Sequence, residues 1–147
     1  MSKLETRDAA RDGSAMPRGE AMNEITLTVN GTSHTVSCPP HATLLAVLRG
    51  LGLFSVRFGS ATGETGAAAV LVDGRLVSCD VLLAAQAVGH EVTTVESLNV
   101  ATGELDPIQE AFVEAGAMQS GYSAGAMVLA TKEIGRASCR ERVSVVV

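Results

Sequence analysis

Three cysteines are the side chains with the clearest chemical potential: Cys38, Cys79 and Cys139. They are too few for a disulfide framework, so a reducing cytoplasm is the expected environment. The three histidines are scattered and lack the close spacing of a metal site. Neither a Ser–His–Asp arrangement nor a phosphate-binding loop is visible. The sequence therefore predicts no catalytic centre of its own.

The densest motif is a glycine-rich loop, FGSATGETGAAAVLVDG, at residues 58–74. Glycines at 59, 63 and 66 separate Ser60, Thr65 and Ala68, and this rhythm is typical of a loop that wraps a bound group. The glycines have two interpretations, which stay open. They permit positive φ or close backbone approach in a tight loop, or they keep a residual binding role.

Composition and charge limit the class of protein. The chain has 147 residues, a net charge of -5 and 46% hydrophobic residues. The negative charge argues against a nucleic-acid partner, because phosphate binding needs a basic face. No apolar run approaches the length of a membrane span. The charged residues 1–22 lack the apolar region of a secretory signal and are predicted to be a disordered extension.

Hydrophobic periodicity predicts strands, helices and two tight hairpins. Asn30-Gly31 and Asp73-Gly74 are hairpin turns, and Thr43 is a good N-cap for the first helix. Asp106-Pro107 opens the helix at 107–116, with Pro107 suited to its first position. Strands are predicted at 24–30, 32–36, 69–72, 75–78 and 91–96, and helices at 44–52, 80–89, 107–116 and 124–133. A mixed sheet with one helix across it is an α+β unit. The last two helices cannot bury both apolar faces alone, so they need further helices or a partner protein.

The pattern divides the chain into four segments. Residues 1–22 are the extension, 23–100 the α+β domain and 104–133 the start of a partial helical domain. Residues 134–147 contain IGRASCRERV, which looks like a reading frame of a common sequencing adapter, and we interpret this segment as an artefact. A genuine basic C-terminus is the alternative.

The chain resembles the small iron–sulfur subunit of the molybdenum hydroxylases, from about Ile25 to Lys132. In that family the loop reads like FGCGEGECGACTVLVDG, and an NSC-like turn follows, which Val77-Ser78-Cys79 matches. A second family motif reads like QCGFCTPGM, against QSGYSAGAM at 119–127. The resemblance implies a β-grasp, 2Fe-2S ferredoxin-like domain followed by a helical-bundle domain. It also implies two 2Fe-2S clusters and two partners, a large molybdopterin-binding subunit and a medium flavin-binding subunit.

The family's cluster ligands are largely replaced in this chain. Residues of other types occupy the matched ligand positions, and the stretch from Ala68 to Cys79 is about one residue shorter than the family pattern. The replaced positions are Ser60, Thr65, Ala68, Ser120 and Ser123. Cys79 is the surviving position of the first site. Because a 2Fe-2S cluster needs four soft, deprotonated donors, we expect no cluster to bind. The Ser and Thr side chains can instead supply hydrogen bonds to N–H groups of the loop.

Two further residues keep open alternatives. Cys79 is either a metal-ligand position or a small buried hydrophobe after a strand. Gln119 matches a family glutamine near the pterin of the large subunit, or it is a polar residue at a helix end. The functional hypothesis is a cluster-free homologue that acts as a structural subunit. The alternatives are a functional 2Fe-2S electron-relay subunit and a fragment without function.

Overall fold

The computed structural model describes residues 22–99 and 103–144. All but the last residue of the predicted disordered extension lies outside these ranges. Residues 100–102 and 145–147 also lie outside them. Within the described chain, five strands form a mixed sheet in the order β2-β1-β5-β3-β4. The strands are β1 (Asn23–Val29), β2 (Thr32–Cys38), β3 (Ala69–Val72), β4 (Arg75–Ser78) and β5 (Glu91–Thr93).

The predicted hairpins are confirmed in position and turn chemistry. β1 pairs with β2 and β3 with β4, both antiparallel. Their turns place Asn30 at φ 52° and Asp73 at φ 48°, each followed by a glycine at φ 75°. Two consecutive positive φ values give the turn twist that matches flanking strands, which is why Asn-Gly and Asp-Gly predict it. β1 and β5 are parallel, which makes the sheet mixed.

Helix α1 (Leu44–Gly50) packs its apolar face onto the sheet. Thr43 caps it as predicted, because its hydroxyl accepts a hydrogen bond from the Ala46 N–H at 3.3 Å. Leu44 and Leu48 are fully buried with Leu27 and Val29 of β1. This cluster forms the core of the expected α+β unit.

Two predicted elements differ from the structure. Residues 80–89 were predicted as a helix, but only Ala84–Ala87 form a single 3-10 turn. The residues before this turn are tied to the start of α1, because Leu82 O accepts from the Leu44 N–H, the Ala84 N–H donates to Ala42 O, and Thr43 and Leu83 form an isolated antiparallel bridge. The strand predicted at 91–96 ends at Thr93.

The early end of β5 is caused by the Asn30 side chain, which lies 64 residues before Thr94 in the sequence. Its Oδ1 accepts from the Thr94 N–H at 2.8 Å, and its Nδ2 donates to the Thr94 hydroxyl at 3.0 Å. A side chain that satisfies these groups replaces the next rung of the ladder. The chain then turns into a 3-10 segment at Val95–Asn99.

Two helices follow the sheet. α2 (Pro107–Glu114) begins at Asp106, whose carboxylate accepts from the Ile108 N–H at 3.0 Å, with Pro107 in the first turn as predicted. α3 (Ala124–Ser144) runs past residue 133, where the predicted helix ended. α3 packs on β3 and β4 and buries Val128 and Leu129, whereas α2 has no buried residue.

Candidate functional site

The glycine-rich loop joins α1 to β3, and its three glycines each have a backbone reason. Gly63 and Gly66 adopt φ 80° and φ 66°, which other residues rarely tolerate. Gly59 is required for close approach, since a Cβ built on it would lie 1.6 Å from the Thr65 Oγ1 and 2.7 Å from the Thr65 Cβ. The loop therefore needs these glycines to pack on itself, whether or not it holds a bound group.

The hydroxyls at two of the predicted ligand positions hydrogen-bond to the loop's own backbone. Ser60 Oγ accepts from the Gly63 N–H at 3.0 Å and from the Thr62 N–H at 3.4 Å. Thr65 Oγ1 accepts from the Ala67 N–H at 3.4 Å. Such local bonds stabilise a turn without a metal. They confirm the predicted ability of these side chains to satisfy loop N–H groups.

Ala68 and Cys79 lie behind the loop, in the core. Both are fully buried, and the Cys79 N–H donates to Ala68 O at 2.9 Å. Burial, and secondarily the neighbouring Asp80 carboxylate, raises the pKa of the Cys79 thiol to about 12. Because the thiolate is the form that binds metal, this environment opposes ligation. The assignment of Cys79 as a metal ligand stays a prediction.

Asp80 is a loop-facing residue that the sequence analysis missed. It is only 5% exposed, and its Oδ1 accepts from the Ser78 hydroxyl at 2.7 Å. Its Oδ2 is buried without a hydrogen-bond partner among the described residues. A Cβ added to Gly63 would lie 3.5 Å from Oδ1, so this carboxylate lies under the loop. The available signal was a charged residue directly after a strand in an otherwise apolar stretch.

The second motif lies at the start of α3 and meets the first. The Tyr122 hydroxyl donates to Phe58 O, and the Arg57 guanidinium lies 5.8 Å from the Tyr122 ring centroid. Ser120 Oγ accepts from the Tyr122 N–H at 3.3 Å. Gln119 is exposed and belongs to neither helix. The structure thus brings the two motifs together through one tyrosine.

A cavity of about 480 Å³ separates the two motifs. Thr65 lines it from the loop, Ser78 from β4, and Ser123 and Met127 from α3. The Ser123 hydroxyl donates to the Met127 Sδ at 3.5 Å. The two motifs therefore share a cavity wall that presents hydroxyl groups and a thioether.

The donor set does not fit a 2Fe-2S cluster. At the first site, the predicted ligand positions present two hydroxyls, a buried methyl group and a thiol whose pKa is raised. Iron–sulfur clusters are held by thiolates, and a methyl group has no lone pair to donate. Among the side chains that the structure describes, in residues 22–98 and 103–136, no three His, Cys, Asp or Glu are grouped as they would be around a metal ion.

No family model matches the chain. Proteins with similar sequences do match it. It is 37% identical over 107 residues to the xanthine dehydrogenase iron-sulfur-binding subunit of Escherichia coli O157:H7, covering 73% of this chain and 67% of the relative. It is 37% identical over 116 residues to the nicotinate dehydrogenase small FeS subunit of Eubacterium barkeri, covering 77% and 73%. A third relative, the nicotine 6-hydroxylase small subunit of Paenarthrobacter nicotinovorans, is 36% identical over 112 residues, with 76% and 67% covered.

Solved structures of two oxidoreductases are similar to this chain. Quinoline 2-oxidoreductase from Pseudomonas putida 86 superposes with a TM-score of 0.73 at 29% identity, covering 77% of this chain and 70% of the other. The aldehyde oxidoreductase of Desulfovibrio desulfuricans superposes with a TM-score of 0.71 at 33% identity, covering 77% and 13%. The α+β fold expected from the sequence is thereby confirmed.

Proposed function

The chain belongs to the family of iron–sulfur small subunits of the molybdenum hydroxylases, and we propose that it is a member that no longer binds the clusters and serves as a structural subunit. The fold of an electron-transfer subunit is retained, while the chemistry of the relay is lost. Its role would then be to occupy the small subunit's place in a complex.

The observation that carries this proposal is the state of the replaced ligand positions. Ser60 and Thr65 direct their hydroxyl oxygens to loop N–H groups, and Ala68 is fully buried in the core. A cluster would have to displace these hydrogen bonds and would still lack a donor at position 68. Hydroxyl oxygen is also a harder and less acidic ligand than a thiol, which disfavours iron–sulfur chemistry further.

The second motif supports the same conclusion. Ser120 accepts from a backbone N–H and Ser123 donates to a thioether, so both hydroxyls already have partners within the protein. These are the two positions of this motif that match family ligands. On this basis we propose that neither site is loaded.

The partners we propose are a large molybdopterin-binding subunit and a medium flavin-binding subunit. The relatives are themselves named as subunits, which supports a role within a complex. Gln119 is exposed at the second motif and would be free to contact the pterin of the large subunit. The described part of the chain contains no helix long and apolar enough to cross a membrane. The buried free cysteines Cys38 and Cys79 suit a reducing cytoplasm, where we place the complex.

Co-expression with large and medium subunits tests the proposal. We expect the chain to copurify with them, with iron and acid-labile sulfide at background and no 2Fe-2S absorption bands. The matched control is the Escherichia coli relative prepared in the same way, which should carry about four iron atoms per chain if both clusters are present. Comparable iron in this chain would contradict the proposal and support the electron-relay alternative. A chain that folds but does not copurify would support the alternative of a fragment without function.

A further inference from the structure

We infer that Asp80, rather than Cys79, stands at the fourth ligand position of the first site, so that neither of the described free cysteines, Cys38 and Cys79, faces the loop. The inference deepens the proposed loss of the cluster and rests on it. It concerns which residue the hairpin presents to the loop, and it can fail independently of whether the native chain holds iron.

The register of the β3–β4 hairpin places Cys79 in the core. Ala69 pairs with Ser78, and the Cys79 N–H then donates to Ala68 O at 2.9 Å. Cys79 is thus the cross-strand neighbour of Ala68 at the open end of the hairpin. It is fully buried and belongs to the apolar cluster that includes Val70. Its side chain therefore contributes to packing below the sheet.

Asp80 faces the loop, unlike Cys79. The two residues form a turn directly after β4, and the Ser78 hydroxyl donates to Asp80 Oδ1 at 2.7 Å. Ser78 lines the cavity that the loop borders, so this bond places the Asp80 carboxylate on the loop side. That side meets the loop, since an added Gly63 Cβ would lie 3.5 Å from Asp80 Oδ1 and 3.2 Å from a Val81 methyl group.

The spacing along the chain agrees with this geometry. By the resemblance, the interval from Ala68 to Cys79 is about one residue shorter than the family pattern, and Asp80 restores the missing residue. The surviving cysteine therefore matches the family motif in residue type, while Asp80 matches it in position.

The unpartnered oxygen of Asp80 gives independent support. A carboxylate that is 5% exposed, with Oδ2 buried and without a partner, is an unfavourable arrangement for packing alone. If position 80 is where the fold directs a ligand atom at a metal, the burial of a carboxylate there is explained. Ala68 begins the hairpin and Asp80 follows its end, so both lie where the loop closes over it.

Restoring cysteines tests the position. Two variants are compared after anaerobic reconstitution with iron and sulfide: S60C/T65C/A68C, which retains Cys79, and the same variant with D80C added. We expect about two iron atoms, two sulfides and 2Fe-2S absorption bands only when D80C is present. Adding C79S to the variant S60C/T65C/A68C/D80C should leave that iron content unchanged. A loaded cluster in the three-substitution variant overturns the inference. Loss of the cluster on C79S overturns it too, as does a folded D80C variant that takes up no iron.

A single substitution provides a second measurement that does not depend on cluster assembly. In D80C, a thiol reagent should modify the new cysteine at a rate at least tenfold faster than Cys79 in the native chain. Opening of the loop uncovers position 80, whereas Cys79 needs the core to open. Equal protection of the two thiols would overturn the inference. The iron content of the native chain plays no part in this comparison, so failure here is distinct from failure of the proposed function.

Discussion

Substitution of Gly59 by alanine should destabilise the protein through one identifiable contact. The new Cβ would lie 1.6 Å from the Thr65 Oγ1, which can rotate away, and 2.7 Å from the Thr65 Cβ, which cannot move without the backbone. Overpacking of this kind typically costs about 1–3 kcal/mol. We expect G59A to lower the free energy of unfolding by that amount, measured by urea denaturation with the m-value unchanged.

The double variant G59A/T65G identifies the cause. T65G alone should cost about 1 kcal/mol, because it loses the hydrogen bond from Ala67 and adds a flexible residue. Since T65G removes the clashing Cβ, the double variant should be close to T65G, giving a coupling energy of about 1–3 kcal/mol. G50A is the matched control, because a Cβ there meets nothing within 4 Å and lies in a helix. It should stabilise by about 0.5–1 kcal/mol.

Two results would refute this reasoning. If G59A unfolds at the wild-type midpoint, the loop does not pack on itself as described. If the two substitutions are additive, Thr65 is not the obstacle, and Gly59 is retained for another reason, such as the approach of a bound group. In that second case G59A should also change the iron content of the protein, which the self-packed loop predicts to be unaffected.

Three further outcomes follow from the site and its surroundings. C79A should lower the free energy of unfolding by about 1–2 kcal/mol through lost core packing and leave the iron content unchanged. In the native chain, Cys79 should resist alkylation at pH 8, because its pKa is raised to about 12. The hydrogen bonds from Lys132 and the Ile108 N–H lower the pKa of Asp106. The contribution of Asp106 to stability is therefore present above the unfolded pKa of about 3.9 and is lost as pH falls through the lower folded pKa. In D106A, acid titration of the unfolding free energy should lack this component, and at pH 7 the missing N-cap should cost about 1 kcal/mol. Backbone amides of residues 58–68 should exchange with deuterium faster than those of α1, and equal protection of the two segments would contradict the interpretation of the loop as locally held only by hydroxyl side chains.

Local chemistry in the sequence predicted most of the fold. The Asn30 and Asp73 turns, the Thr43 cap and the Asp106 start of α2 are confirmed because each depends on neighbouring residues alone. The failures depend on distant partners. The predicted helix at 80–89 is reduced to one 3-10 turn by hydrogen bonds to the residues around the start of α1, and no periodicity within the segment records that pairing.

The candidate site shows the same division between local and distant information. Residue types at the ligand positions were readable from the motif, and their hydroxyl bonds to nearby N–H groups followed from local chemistry. The direction of the Cys79 side chain was not readable, because it depends on a register that one residue reverses. Matching cysteine to cysteine preserved residue type and concealed the shift that brings Asp80 to the loop.

The distribution of buried residues explains how the fold can outlast the cluster chemistry. Leu27 and Val29 of β1 pack with Leu44 and Leu48 of α1 at 0–1% exposure, and none of these residues belongs to the loop. The loop contributes to the buried set mainly through Ala67 and Ala68, at the point where it enters β3. Metal binding supplies folding free energy to the segment that it orders, so the absence of a cluster, as proposed, would destabilise the loop first and the sheet little. Under that proposal the core of the chain keeps its stability, and the stability of the loop is the quantity that should be low.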